Sequence, residues 1–150
     1  MTSADTIHAS AVAVGSTGVL IRGRSGSGKS ALVLGLLDRD PDATRLVADD
    51  RVILSREDDR IVAAPPPALA GMLEVRGQGV VTVGHLPSVV LALVVDLLPA
   101  EDCPRLPEPA ERFVTMLDVR LPRLMLPIGA SDGPARVRFA LRHRGAPIDA

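Results

Sequence analysis

Residues Gly23-Arg24-Ser25-Gly26-Ser27-Gly28-Lys29-Ser30 fit the pattern G-x-x-x-x-G-K-[ST], and this octet restricts the fold more than any other stretch of the chain. A phosphate-binding loop of this kind works only between an apolar strand and the first turn of a helix. The flanks meet that requirement. Val19-Leu20-Ile21 is an apolar run ahead of the loop, and beyond Lys29 the spacing of Leu32, Val33, Leu36 and Leu37 traces one helical face. The glycines let backbone N–H groups point into a concave anion nest, to which the helix adds the positive end of its dipole. Lys29 is the only lysine; every other long basic side chain is arginine. The Ala-, Arg-, Gly- and Pro-rich composition points to a coding bias against lysine wherever the two are interchangeable. Inside this loop they are not, because a compact ammonium reaches phosphate oxygens that a planar guanidinium would crowd. The loop predicts bound nucleotide phosphates, with Lys29 neutralising their charge and Ser30 placed on Mg²⁺.

A length of 150 residues predicts one domain, residues 1–150, and an apolar share of 47% allows a sizeable, aliphatic core. A net charge of −1 gives no electrostatic footprint for nucleic acid, and the chain has neither Trp nor Tyr as stacking platforms. The single cysteine, Cys103, excludes an internal disulfide and suits the cytoplasm. The longest apolar run, Val89 to Val95, stops at Asp96 and is too short to span a bilayer.

The pattern predicts many strands and two helices. Ile7 to Val14 reads as a strand, Gly15 to Gly18 as a turn, and Arg45 to Ala48 as a strand that Val52-Ile53-Leu54 continues. Arg60 to Ala64 hairpins back, Val89 to Leu98 is a buried central strand, and Pro99 to Pro109 is expected as a mobile loop. Two β-like runs, Arg112 to Val119 and Leu124 to Ile128, precede a helix signalled by Ser131-Asp132-Gly133-Pro134. With so few helices, this is not an ordinary doubly wound nucleotide fold.

Asp49-Asp50 ends the strand that follows the first helix, the place for an acid that engages Mg²⁺ or its water. Adjacent strand residues face opposite ways, so one aspartate can serve the metal while the other takes a proton from an attacking hydroxyl. The bland alternative is an acidic turn. Glu74 and Arg76 flank Val75 and share one face of an extended segment, where Gly77 and Gly79 allow close approach of a ligand. A solvated ion pair is the competing explanation. His85 and His143 read as surface residues, and Cys103 as a passive thiol.

The order of these motifs resembles the catalytic domain of the HPr kinase/phosphorylase family, from about Ile7 to Arg144. Ile7-His8-Ala9 resembles the family's histidine before the first turn, and Leu46-Val47-Ala48-Asp49-Asp50 its Leu-(Ile/Val)-Ala-Asp-Asp. Leu73-Glu74-Val75-Arg76-Gly77-Gln78-Gly79 matches the signature Leu-Glu-(Ile/Val)-Arg-Gly-x-Gly, while Pro104-Arg105-Leu106 and Leu121-Pro122-Arg123 resemble two later segments. The resemblance implies a β-rich α/β P-loop kinase domain with few helices, related to phosphoenolpyruvate carboxykinase. It implies an ATP- and Mg²⁺-dependent serine kinase of the bacterial phosphotransferase system, acting on HPr or a paralogue, with reverse phosphorolysis and a hexameric assembly.

By the same match, Asp49 is the base that deprotonates the acceptor serine, with His8 assisting near it. Ser30 and Glu74 hold the metal with Asp50 in support, Lys29 binds phosphate, and Arg76 and Arg105 position or stabilise phosphates. Arg24 and Ala31 depart from family acids, and Gly133-Pro134-Ala135 stands where members carry Gly-Arg-Asn. The expected form is one lacking the family's N-terminal domain. A module that senses nucleotide without transferring phosphate would share the loop; Asp49, Glu74 and Arg105 argue for the kinase.

Overall fold

The computed structural model describes residues 4–143. In chain order the elements are β1 (Ala4–Ile7), β2 (Ala9–Val14), β3 (Thr17–Arg22), α1 (Lys29–Arg39), β4 (Thr44–Ala48), β5 (Val52–Glu57) and β6 (Arg60–Ala64). They continue as β7 (Met72–Val75), β8 (Gly79–Thr82), β9 (Val89–Leu98), β10 (Phe113–Met116), β11 (Val119–Pro127) and α2 (Gly133–Arg142). The fold is a sheet-dominated α/β architecture, as the sequence pattern predicts.

The main sheet runs β1-β5-β6-β9-β3-β2-β4, with β11 joining β9 and β10 joining β11. β9 is the spine. It lies parallel to β3 along one side; on the other, its first two residues pair with β6 and Val94 to Leu98 pair in parallel with β11. The sheet therefore forks along β9 and encloses a core on each face. Leu20, Leu54, Ile61, Val94 and Leu121 belong to the core inside the curled strands, while Ile21, Leu36, Leu46, Val95 and Val137 pack beneath the helices. Each such burial contributes roughly 1.5–3 kcal/mol. A register shift between Gly18 and Val19 lets β9 change which parity faces which core: Val89 and Leu91 face the curled strands, Leu93, Val95 and Leu97 the helices. Gly18 sits at that shift because the strands touch there; a Cβ would lie 2.4 Å from the carbonyl oxygen of Val90.

Four expectations change in detail. The segment from Ile7 to Val14 is two strands broken at His8, with β1 pairing to β5 and β2 to β3 and β4. Val52 to Leu54 does not continue β4, because Asp50 takes a left-handed φ of 70° and sends the chain into the other branch of the sheet. Arg112 to Val119 is interrupted by a tight turn at Leu117 and Asp118, both with positive φ, which folds β10 back on β11. The segment expected as a mobile loop carries a 3-10 turn at Ala100–Asp102 and leads into another at Pro109–Arg112. No described helix is long and apolar enough to cross a membrane.

Candidate active site

The P-loop leaves the end of β3 and closes on α1. Gly26 and Gly28 have φ of 81° and 96°, values that a side chain would strain, and Gly28 is the residue before the helix. Lys29 is 6% exposed and its Nζ donates to the carbonyls of Gly23 at 2.9 Å and Arg24 at 3.1 Å. Gly23 and Arg24 thus form the back of the loop, whereas Ser25 to Ser30 line the cleft in front.

That cleft has a volume of 690 Å³ and brings the loop together with Asp49, Asp50, Glu74 and Arg76. β4 delivers the aspartates, stopping at Ala48 one strand away from β3. Both line the same cleft, contrary to the opposite facing expected of neighbouring strand residues, because the chain has left the strand and the φ of Asp50 rotates it back. Ser30 Oγ donates to Asp49 Oδ1 at 2.8 Å, and the backbone N–H of Glu74 donates to Asp49 Oδ2 at 3.3 Å. Asp49 is half-buried and held on both oxygens; Asp50 is exposed. His8 reaches Asp50, with Nε2 and Oδ1 2.5 Å apart, and not Asp49 as expected. The reason is the break between β1 and β2, which frees His8 from strand geometry.

Glu74 comes from β7 and Arg76 from the turn that joins β7 to β8, a hairpin that forms one wall of the cleft. Val75 lines the cleft together with them, so the alternation expected about Val75 does not set the pair apart; Arg76 has already left the strand. Arg105 is the exception. It is exposed between β9 and β10 and does not line the cleft.

Several participants carry no motif. Ser10, wholly buried in β2, donates to Asp49 Oδ1 at 3.0 Å and accepts the backbone N–H of Asp50 at 3.1 Å. Leu34 and Ile128 form an apolar end of the cleft and remain 43% and 44% exposed. Behind the loop, Asp96 in β9 accepts two bonds from Arg22, at 2.7 and 2.8 Å, and one from Arg123 at 2.6 Å. Burial alone would raise the Asp96 carboxyl, but the hydrogen bonds and charges of the two guanidinium groups outweigh it and hold it below the ordinary carboxylate range. The one legible signal for this network is the carboxylate that ends the longest apolar run. Burial, reinforced by Asp102, pushes the Cys103 thiol up, which suits a passive thiol.

Among the described residues no three His, Cys, Asp or Glu side chains converge as a preformed metal cage. The oxygen donors at the cleft nevertheless suit Mg²⁺, which typically takes one or two carboxylates and completes its shell with water and phosphate. A cleft with a buried ammonium, an anion nest and hard oxygen donors on the opposite wall is suited to phosphoryl chemistry.

Comparison with known proteins agrees. The family model described as the HPr serine kinase C-terminal domain matches residues 1–137. The HPr kinase/phosphorylase of Geobacillus thermodenitrificans is 37% identical over 133 residues, covering 81% of this chain and 42% of its own length. That of Lacticaseibacillus casei is 35% identical over 134 residues, covering 82% of this chain and 41% of the relative. The chain thus spans about two fifths of the length of these curated relatives. The solved structure of the HPr(Ser) kinase/phosphatase from Coxiella burnetii superposes with a TM-score of 0.79 at 26% identity, covering 93% of this chain and 90% of that one.

Proposed function

The chain belongs to the HPr serine kinase C-terminal domain family, and from that premise we propose that it is an ATP- and Mg²⁺-dependent protein serine kinase acting on HPr or a paralogue. The observation that carries this reading is the Ser30–Asp49 hydrogen bond, which fastens the phosphate loop to the paired acids.

In the proposed reaction Lys29 and the amides of residues 26–30 bind the β- and γ-phosphates of ATP. Ser30 and Glu74, with the Asp49 carboxylate beside them, hold Mg²⁺. When bound, the metal neutralises charge on the phosphate oxygens. Asp50, the exposed aspartate at the cleft, accepts the proton of the acceptor serine as its Oγ–P bond forms and the bond from the γ-phosphorus to ADP breaks. His8 orients Asp50 through the Nε2 contact. This exchanges the roles that the family resemblance implies for the two aspartates: Asp49 is occupied by the P-loop serine, and the histidine contacts Asp50. Arg76 offers its charge to the transferring phosphoryl group. The reverse phosphorolysis uses the same groups, with Asp50 returning the proton. Most of the rate enhancement comes from positioning and charge stabilisation.

Arg105 lies outside this cleft, so we assign its phosphate role to a neighbouring subunit's site in an assembled oligomer. The test of the reading is transfer from γ-labelled ATP to purified HPr in the presence of Mg²⁺. Label recovered as phosphoserine is expected; nucleotide binding without label on HPr would point to the nucleotide-sensing module instead.

A further inference from the structure

We propose that Ser10 is the positioning residue for both aspartates of the cleft; this rests on the kinase reading above. Ser10 occupies β2, opposite Ile21 of β3, in a run whose neighbours Ala9, Ala11 and Val12 are all fully buried and apolar. Alanine at this position would fill the core equally well, so packing does not call for a hydroxyl. A buried hydroxyl is costly unless it is bonded. Here it is bonded twice, and to the two residues that matter.

Its single proton goes to Asp49 Oδ1 at 3.0 Å, and a lone pair takes the N–H of Asp50 at 3.1 Å. The first bond joins those from Ser30 and the Glu74 amide, so the Asp49 carboxylate is fixed from β2, from α1 and from β7. The second secures the one strained residue of the cleft. Asp50 has a φ of 70°, a left-handed conformation that non-glycine residues keep only where their surroundings impose it. That conformation turns the Asp50 carboxylate toward His8, which sits in the break just before the strand that carries Ser10. One hydroxyl thus sets the distance between the metal-side acid and the proton-accepting acid.

The test compares wild type, Ser10→Ala and Ser10→Thr in steady-state transfer to HPr, with nucleotide affinity read separately by fluorescent-nucleotide titration. Ser10→Ala is expected to lower kcat by about 10–100-fold while the nucleotide Kd stays within about twofold. Ser10→Thr, which keeps the hydroxyl, should recover most of kcat. Ser10→Ala combined with His8→Ala should lose less than the product of the two single losses, since both act in part through Asp50. A role confined to stability would lower Tm with no split between kcat and Kd. That result, or a Ser10→Thr variant of native Tm as slow as Ser10→Ala, overturns the inference. A wild-type chain that transfers nothing overturns the kinase reading and the inference with it. Transfer by wild type that Ser10→Ala matches overturns the inference alone.

Discussion

His8 Nε2 stands 2.5 Å from Asp50 Oδ1, joining residues 42 apart in sequence beside the phosphate cleft that Asp50 lines. The sequence itself offers a histidine in a strand and the second of two acids, and the family resemblance sets His8 beside Asp49 instead. Their contact decides which acid is oriented for proton transfer. Replacing His8 with alanine should lower kcat for HPr phosphorylation by about 100-fold and leave nucleotide affinity unchanged, because general-base assistance contributes about 10²–10⁴ in rate. Parallel rate and binding titrations check it.

Lys29→Arg should not rescue Lys29→Ala. The ammonium lies 6% exposed between the carbonyls of Gly23 and Arg24, and a guanidinium is too broad for that seat. Both variants should lose about 100-fold or more in kcat/KM for ATP, the loss expected when a preorganised charge-stabilising donor is removed. Isothermal titration with ATP analogues distinguishes lost binding from lost turnover.

Asp96→Asn should destabilise the fold by about 3–5 kcal/mol at pH 7, since it leaves the Arg22 and Arg123 charges short of their buried partner. The pH dependence has a definite sign. The Asp96 carboxyl is held below its ordinary range in the folded protein, so its contribution is complete above about pH 4 and is lost as pH falls through the folded value. Urea denaturation of both proteins should show their stability gap closing on acidification; a gap that widens contradicts this.

Gly18→Ala should cost about 1–3 kcal/mol by forcing β3 away from β9 at the Val90 carbonyl. Because β3 carries the P-loop, thermal denaturation should report the loss, and added ATP should recover part of it.

Much of this molecule is legible in its residues because short-range physics decides it. The P-loop with its strand and helix, the buried spine at Val89–Leu98 and the second helix after Asp132 all follow from local spacing and turn chemistry. The Glu74 to Arg76 wall is legible as a short extended segment before glycines, though not by alternation, because Arg76 lies in the turn after β7 and Val75 lines the cleft as well. What escapes is set by long-range register. Nothing local breaks the strand at His8; pairing of β1 with the other branch of the sheet does. Ser10 matters only because β4 delivers Asp49 and Asp50 beside it. Asp96 is visible as a charge that ends an apolar run, but its two arginines come from different strands. The alternation rule failed at Asp49-Asp50 because a positive φ follows the end of β4.

The most direct measurement is transfer to HPr by Asp50→Asn, set against its nucleotide affinity. The variant keeps the side chain's size and the backbone N–H bonded to Ser10. It should bind ATP with an affinity within about twofold of wild type, while phosphoserine formation in a single turnover falls by about 100-fold or more. Transfer at the wild-type rate would contradict the account, because the proton of the acceptor serine would then be going elsewhere.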